Sequence, residues 1–178
     1  MNMEEQNQNT ERQRQTAYKV WIADLMNNEY AVQNGWQPNY TIISEKKISR
    51  VNIIASVVSV YINDDKTYYS VAIDDGTGNI SLKTWGEDIK LLSALKIGDL
   101  ILVIGKLRQT NDLMYLTPEI VKVLNDKKWM LVRKLELEKL WPEKERKQEG
   151  QISQASQMNE KISKENKKRD EPVEEVVE

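Results

Sequence analysis

Apolar and polar residues alternate through the middle of the chain, which is the pattern of half-buried β-strands. Residues 46–63 form a run rich in Val and Ile that is too long for one flat strand, so we expect a bend or bulge near Ala55 and Ser56. Residues 66–75 and 79–85 alternate more strictly, and the glycines of the intervening "GTG" permit a tight turn. The pattern predicts three consecutive strands.

A single helical interruption follows these strands. Residues 86–99 carry apolar side chains at three-residue steps, and Gly98 is a suitable stop for a helix. Residues 100–110 and 113–124 are predicted to form two strands joined as a hairpin. Three strands, a short helix and two strands is the order of the OB barrel, an all-β fold. We therefore predict a five-stranded OB-fold barrel over residues 46–125.

The segments outside the barrel differ from it in composition. Residues 1–15 are almost wholly Gln, Asn, Glu and Arg, and residues 142–178 are rich in Lys, Glu, Gln and Ser, so both ends are predicted to be disordered. Residues 16–45 are expected to form an N-terminal arm that packs on the barrel. Helical spacing and strand alternation fit the first half of this arm about equally. Residues 126–141 are predicted to form a C-terminal helix.

The C-terminal helix is apolar over most of its circumference, and such a helix must be covered on more than one side. A single barrel does not supply that cover, so we expect an oligomerisation helix that contacts a partner subunit. The alternative is a helix folded under the N-terminal arm. The residues expected at the partner interface are Trp129, Met130, Val132, Leu137, Leu140 and Trp141.

The composition excludes several kinds of chemistry. The chain has neither histidine nor cysteine, which removes Ser–His and Cys–His nucleophiles, ordinary zinc sites and disulfides. Catalysis by carboxylates alone lacks a second supporting signal. Asp74 and Asp75 lack the ligand spacing of a calcium loop, and a turn before Gly76 explains them better. We therefore predict a binding protein and not an enzyme, with no cofactor, no metal and no small-molecule substrate.

Hydropathy and charge limit the partners. The chain has no run of about 18 apolar residues, so we expect no membrane contact, and the polar first residues predict no secretory signal peptide. The net charge is −2, whereas a non-specific nucleic-acid binder is strongly basic. The apolar middle is mildly basic between acidic flanks. Any phosphate contact must therefore come from a few local Lys and Arg.

Three sequence stretches, together with the last hairpin, resemble a known family. "RVNIIASVVSV", "YYSVAIDDGTGNISLKTW" and "LKIGDLILVIGKLR" are similar to the middle subunit of replication protein A in its archaeal form, over roughly residues 46–141. The resemblance implies a cytoplasmic, nucleoid-associated subunit that binds single-stranded DNA in replication, recombination and repair. It also implies a heterotrimer in which the C-terminal helix joins other OB-fold subunits.

The sequence departs from that family in two respects. Eukaryotic relatives carry a second stacking aromatic residue where this chain has Thr110, so one base platform is expected to be missing. They also end in a winged-helix domain, which we do not expect here because residues 142–178 leave no room for it. Thr110 and the near-neutral barrel favour an alternative, a structural OB-fold subunit that scaffolds a complex with little direct nucleic-acid contact. A telomere-capping or RNA-binding relative is a third possibility.

Proteins hold single-stranded nucleic acid by stacking its bases on aromatic rings and placing cations along its phosphates. By alternation, Trp85 and Lys83 share the outer face of their strand, opposite Ile80 and Leu82. We therefore expect the Trp85 ring on the barrel surface, and the alternative is a bulge that turns it into the core. The further candidates are Tyr68 and Tyr115 as rings, and Lys106, Arg108 and Arg50 as phosphate contacts. For each of these residues, the alternative to nucleic-acid contact is an exposed side chain on a strand with no role in binding.

Overall fold

A computed structural model describes residues 15–33, 38–111 and 113–142. The strands are β1 Tyr18–Lys19, β2 Tyr30–Ala31, β3 Tyr40–Ile43, β4 Lys46–Ile48, β5 Arg50–Ile62, β6 Tyr68–Asp74, β7 Asn79–Trp85, β8 Leu100–Thr110 and β9 Leu113–Val123. The helices are α1 Ile22–Met26, a 3₁₀-helix Gly86–Leu91 and α2 Lys128–Leu140. The two ends predicted to be disordered lie outside the described residues, except for Gln15 and Pro142.

The predicted five-stranded OB barrel is confirmed. Its strands follow the order β5-β6-β7-β9-β8, and β8 pairs back onto β5 to close the sheet. These pairings are antiparallel except that of β7 with β9, which run parallel. β5 is 13 residues long because its first half pairs with β8 and its second half with β6. Closure buries the inward side chains of all five strands in one core.

The bend in β5 reverses the alternation of its side chains. The structure places the irregularity between Val57 and Ser59, just beyond the predicted residues 55–56. Before it, the odd-numbered residues of β5 are buried, whereas after it Val60 packs against the core. The extra residue of a bulge shifts the pleat by one position. Tyr61 therefore faces outward.

The helix predicted over residues 86–99 is shorter in the structure. The 3₁₀-helix gives way to turns before β8 begins. Gly98 has a φ of 92°, which is a left-handed conformation that glycine adopts without steric cost. Leu92 and Leu95 are buried in the barrel core. The three-residue apolar spacing therefore reflects packing against the barrel and not a continuous α-helix.

The N-terminal segment is tied to the "DDGTG" turn between β6 and β7. Ile22 and Leu25 of α1 are buried in the core. The Asp75 carboxylate accepts a hydrogen bond from the Ile22 N–H at 2.9 Å, and the Thr77 hydroxyl accepts one from the Ala23 N–H at 3.2 Å. These are the first two N–H groups of α1, which have no partner inside the helix. The turn therefore caps α1 from a distant part of the chain.

A second, three-stranded antiparallel sheet is formed by β2, β3 and β4. The Tyr30 hydroxyl donates a hydrogen bond to the carbonyl of Leu107 at 3.2 Å. Burial raises the pKa of Tyr30, so this hydroxyl keeps its proton at neutral pH and remains a donor. The hydrogen bond attaches the second sheet to β8.

α2 packs one stripe of side chains on the rest of the chain. Leu137 is 1% exposed and Trp141 is 3% exposed, and the Trp141 indole N–H donates to the carbonyl of Lys19 at 2.7 Å. Arg133 is 4% exposed and donates to the backbone carbonyl and the side-chain oxygen of Asn52, at 2.7 and 2.8 Å. Burial of the Arg133 guanidinium is compensated by these hydrogen bonds. α2 is therefore fixed to β5 through a polar anchor as well as apolar contacts.

This packing removes two residues from the predicted partner interface. Leu137 and Trp141 are buried against their own chain, and Met130 is half-buried on the same side. The exposed apolar side chains of α2 are Trp129, Leu131, Val132, Leu135 and Leu140. At 100° per residue, Leu131 and Leu135 lie about 120° and about 160° around the helix from Leu137, and the sequence prediction omitted both. Among the described residues, α2 and the shorter helices all lack the length and hydropathy to cross a membrane.

Candidate nucleic-acid interface

Trp85 is displayed on the outside of the barrel. The inward residues of β7 are Ile80, Leu82 and Thr84, and all three are buried, whereas Trp85 is 48% exposed. β6 and β7 keep one register along their whole length, so no bulge turns the ring into the core. The outward position follows directly from the strand alternation seen in the sequence.

Four aromatic rings form a continuous row across the barrel surface. The ring centroids are 6.2 Å apart for Tyr61 and Tyr68, 5.5 Å apart for Tyr68 and Trp85, and 6.2 Å apart for Trp85 and Tyr115. The rings are tilted or edge-on to one another, as in ordinary aromatic pairs. They come from β5, β6, β7 and β9, so the row crosses the strands. We call these four residues the aromatic row.

The structure brings together three rings that the sequence predicted and one that it did not. Tyr68 lies opposite Trp85 in the β6–β7 register. Tyr115 pairs with Ser81 in the parallel β7–β9 register, and its ring extends along β7 to Trp85. Tyr61 was missed because strict alternation from the buried Val57 points it inward. The length of the run 46–63 signals that the strand must bend, but it does not fix the position of the bend.

Two cations flank the Tyr115 end of the aromatic row. The Lys83 ammonium lies 4.6 Å from the centroid of the Tyr115 ring, which is within cation–π distance. Arg108 faces Tyr115 across the β8–β9 pair. A ring bordered by two cations combines a surface for a base with partners for a phosphate.

Arg50 and Lys106 lie near this end of the row, but both are paired with an acidic residue. They face each other across the β5–β8 pair, and Glu119 contacts Arg50 at 2.5 Å and Lys106 at 3.3 Å. Burial raises the pKa of Glu119, but hydrogen bonds and charges from Arg50 and Lys106 lower it by more, so the net pKa lies below the ordinary carboxyl value. Glu119 is therefore ionised at neutral pH and offsets part of both positive charges.

The remaining polar candidates have local roles. Thr110 ends β8 and pairs with Leu113, so it adds no ring to the row. Asp74 accepts a hydrogen bond from the Gly76 N–H at 2.6 Å, and Asp75 accepts one from the Thr77 N–H at 2.9 Å. Within residues 15–33, 38–111 and 113–142, no cluster of three or more Asp, Glu, His or Cys residues is placed to hold a metal ion.

Known proteins share the fold of this chain. Residues 51–124 match the tRNA_anti-codon family model, which describes an OB-fold nucleic acid binding domain. A chain from a replication protein A heterotrimer bound to single-stranded DNA superposes with a TM-score of 0.57 and 20% identity, covering 69% of this chain and 93% of that chain. No curated protein matches the chain in sequence.

Two further solved structures show the same likeness. A chain of the Schizosaccharomyces pombe Stn1–Ten1 complex gives a TM-score of 0.61 at 14% identity, covering 80% of this chain and 99% of that chain. A chain of yeast replication protein A bound to single-stranded DNA gives 0.53 at 21% identity, covering 68% of this chain and 86% of that chain. At these identities the likeness establishes the OB fold.

Proposed function

We propose that this chain is a single-stranded DNA-binding subunit of a replication protein A-like complex, which protects and organises unpaired DNA in replication, recombination and repair. The observation that carries the proposal is the aromatic row, with Lys83 and Arg108 at its Tyr115 end. The matched family model describes nucleic-acid-binding domains. Two of the similar structures are replication protein A bound to single-stranded DNA.

The chemistry of the aromatic row suits unpaired bases of any sequence. Each base presents a flat face, and stacking on an aromatic side chain contributes about 1–3 kcal/mol per base as measured by truncation. Base pairing hides these faces inside a duplex, so a surface of rings selects single strands. The row offers no rigid donor and acceptor pattern that reads one base type. We therefore expect binding with little sequence preference.

The cations near the row are few, so binding depends modestly on salt. On a single strand, the slope of log K against log salt is about −0.7 for each phosphate neutralised. Lys83 and Arg108 are free of carboxylate partners among the described residues. If each contacts one phosphate, the slope is about −1.4. Strong binding then requires joining to further OB domains, which raises the effective concentration of each.

A binding titration with a matched tryptophan control tests the proposal. Fluorescein-labelled oligo-dT is titrated at low salt and followed by anisotropy. Trp85→Ala is expected to weaken binding by roughly five- to 150-fold, which corresponds to the loss of about 1–3 kcal/mol. Trp129→Ala removes a ring that is also 48% exposed but lies on α2, and it is expected to bind like the wild type. Equal binding by all three proteins contradicts stacking on the aromatic row.

We further propose that other OB-fold subunits cover the exposed face of α2. Leu131 is 60% exposed and Leu135 is 58% exposed, and apolar side chains adjacent on one face suit a partner helix. The similar structures come from a heterotrimer and from the Stn1–Ten1 complex. Tagged wild-type protein purified from its native host should carry other OB-fold proteins, identified by mass spectrometry. The double variant Leu131→Lys with Leu135→Lys should lose them. Ile97→Lys replaces a side chain that is 70% exposed but lies outside α2, and it should retain them.

A structural OB-fold subunit that barely touches nucleic acid is the second candidate. The pairing of Arg50 and Lys106 with Glu119 and the absence of a ring at Thr110 favour it. This candidate predicts recovery of the same OB-fold partners together with no Trp85-dependent binding of oligo-dT. The two experiments above therefore separate the candidates.

A further inference from the structure

The β8–β9 hairpin contains a bulge whose extra residue is Glu119. Gly105 pairs with Pro118 and Ile104 pairs with Ile120, so Glu119 has no residue opposite it. A Cβ at Gly105 would lie 2.7 Å from a backbone carbonyl oxygen of β9, so this tight approach needs glycine. Bulges redirect the side chain of the extra residue. The backbone therefore sets where the Glu119 carboxylate points.

The carboxylate points between two cations from neighbouring strands. Its oxygens contact the Arg50 Nε at 2.5 Å and the Lys106 Nζ at 3.3 Å. The side chains of Arg50, Lys106 and Glu119 are 26%, 46% and 30% exposed, respectively. Both cations therefore remain within reach of an anion in solution while they are paired.

This cation pair continues the path of the aromatic row. Lys106 precedes Arg108 on the outer face of β8, and alternate residues of a strand are about 7 Å apart. Arg108 in turn faces Tyr115. A single-stranded DNA whose bases lie on the aromatic row and whose phosphates contact Arg108 therefore continues toward Arg50 and Lys106. At this point it meets the negative charge of Glu119.

We propose that Arg50 and Lys106 form a phosphodiester-binding site and that Glu119 competes with the phosphate for it. This inference rests on the proposed binding of single-stranded DNA. Carboxylate and phosphodiester oxygens accept the same charge-assisted hydrogen bonds. A phosphate must therefore break both ion pairs and approach an anion that stays beside the site. Glu119 lowers the affinity for single strands and speeds their release.

The competition also predicts a signature in the salt dependence. A phosphate that meets cations already neutralised by a carboxylate is poorly neutralised itself, so few of the counterions condensed on the DNA are released. Removal of the Glu119 charge leaves both cations without a carboxylate partner, while Arg50 keeps its hydrogen bond to the carbonyl of Gln15 at 3.3 Å. Each newly neutralised phosphate steepens the slope of log K against log salt by about 0.7 on a single strand. Glu119→Gln keeps the side-chain shape and an oxygen acceptor for Arg50. Glu138→Gln is a matched control, since it removes the same charge from an exposed pair with Lys134 on α2.

The test titrates fluorescein-labelled oligo-dT at several salt concentrations against the full chain and its variants. Glu119→Gln is expected to bind about three- to tenfold more tightly at low salt, with a slope steeper by about 0.7–1.4. Glu119→Ala serves as a second neutral variant with the same expectation. Glu138→Gln is expected to match the wild type. Adding Arg50→Gln and Lys106→Gln to Glu119→Gln should abolish the gain.

The outcomes separate this inference from the proposed function. Trp85-dependent binding that is unchanged or weaker in Glu119→Gln overturns the competition by Glu119 and leaves the aromatic row intact. Equal gains in Glu119→Gln and Glu138→Gln also overturn it, because a general charge effect then explains them. Failure of both the wild type and Glu119→Gln to bind oligo-dT overturns both proposals. Binding by Glu119→Gln alone supports a particularly strong competition.

Discussion

Tyr68 and Trp85 face each other directly across the β6–β7 pair, with their ring centroids 5.5 Å apart. Backbone hydrogen bonds join β6 and β7 at these residues. The Gly86 N–H adds one more by donating to the carbonyl of Thr67 at 3.3 Å. The spacing of the two rings is therefore set by the barrel before any ligand binds. A preorganised surface loses little conformational entropy when single-stranded DNA binds to it.

The Tyr68 ring is expected to contribute to binding through its flat face and not through its hydroxyl. Tyr68→Ala should weaken oligo-dT binding by about five-fold or more, which corresponds to about 1 kcal/mol or more of lost stacking. Tyr68→Phe keeps the ring and should bind within about two-fold of the wild type. Anisotropy titration measures both. A loss of equal size in Tyr68→Phe would assign the effect to the hydroxyl.

Asp75 is expected to stabilise the fold by capping α1 from the β6–β7 turn. Asp75→Ala removes acceptors for the Ile22 and Thr77 N–H groups, and hydrogen bonds to a charged group contribute about 1.5–3 kcal/mol each. The bond from Thr77 is only partly buried and the two contributions share one carboxylate, so they do not simply add. Urea unfolding should show a loss of about 2–4 kcal/mol. Asp74→Ala removes one bond from the Gly76 N–H that is exposed. Water replaces the lost acceptor there, so the cost should be under about 1 kcal/mol. Similar losses in the two variants would contradict the role of Asp75 as a cap.

The two faces of α2 are expected to respond differently to truncation. Leu137 is fully buried, so Leu137→Ala should lower the free energy of unfolding by about 2–5 kcal/mol. Leu135 is 58% exposed, so Leu135→Ala should change it by less than about 0.5 kcal/mol in the isolated chain. Urea unfolding at neutral pH compares them. Equal destabilisation would mean that α2 is packed differently from the structure described above.

Glu136 is expected to make stability depend on pH in the acid range. Its pKa is lowered chiefly by the hydrogen bond from Lys19, with Arg133 adding to the effect and burial opposing it. Because the folded pKa lies below the unfolded one, the stabilisation is present above the ordinary carboxyl pKa of 4.5 and is lost as pH falls through the folded pKa. The Glu136 side chain is 35% exposed, so solvent screening limits the effect to under about 1 kcal/mol.

Urea unfolding of the wild type and Glu136→Gln across this pH range measures the contribution of Glu136. The variant should be the less stable protein at pH 7, and the difference should vanish in strong acid, where the wild-type carboxylate is protonated. A difference that persists unchanged below the folded pKa would exclude the ionised carboxylate as its source.

The sequence pattern predicts strands and their faces well where one register persists. Trp85 and Lys83 lie on the predicted face because β7 alternates without interruption. The outward orientation of Tyr61 does not follow from alternation, since the position of the bulge in β5 depends on how the barrel closes. The pairing of Arg50 with Glu119 is equally hidden, because it joins residues on separate strands through a second bulge.

The helical wheel of α2 shows the limit of reasoning from hydropathy. The wheel identifies a helix that is apolar on several sides, but it does not say which side faces the chain's own barrel. Arg133 decides the orientation, because its guanidinium reaches Asn52 and is buried with Leu137 and Trp141. A buried arginine is unusual enough that composition alone gives no reason to place it inward. The hydrogen bonds between Arg133 and Asn52 can be recognised only in the folded structure, where α2 lies against β5.

The most direct test of the central claim is to map which residues touch the bases. Oligo-dT carrying 5-iodouracil is bound to the full chain and irradiated, and the linked peptides are identified by mass spectrometry. The aromatic row predicts adducts at Trp85 and at its neighbours Tyr68 and Tyr115, which disappear when unlabelled oligo-dT is added in excess. Adducts confined to α2 or to the β2–β4 sheet, with none on the row, would contradict the claim that unpaired bases stack on these rings.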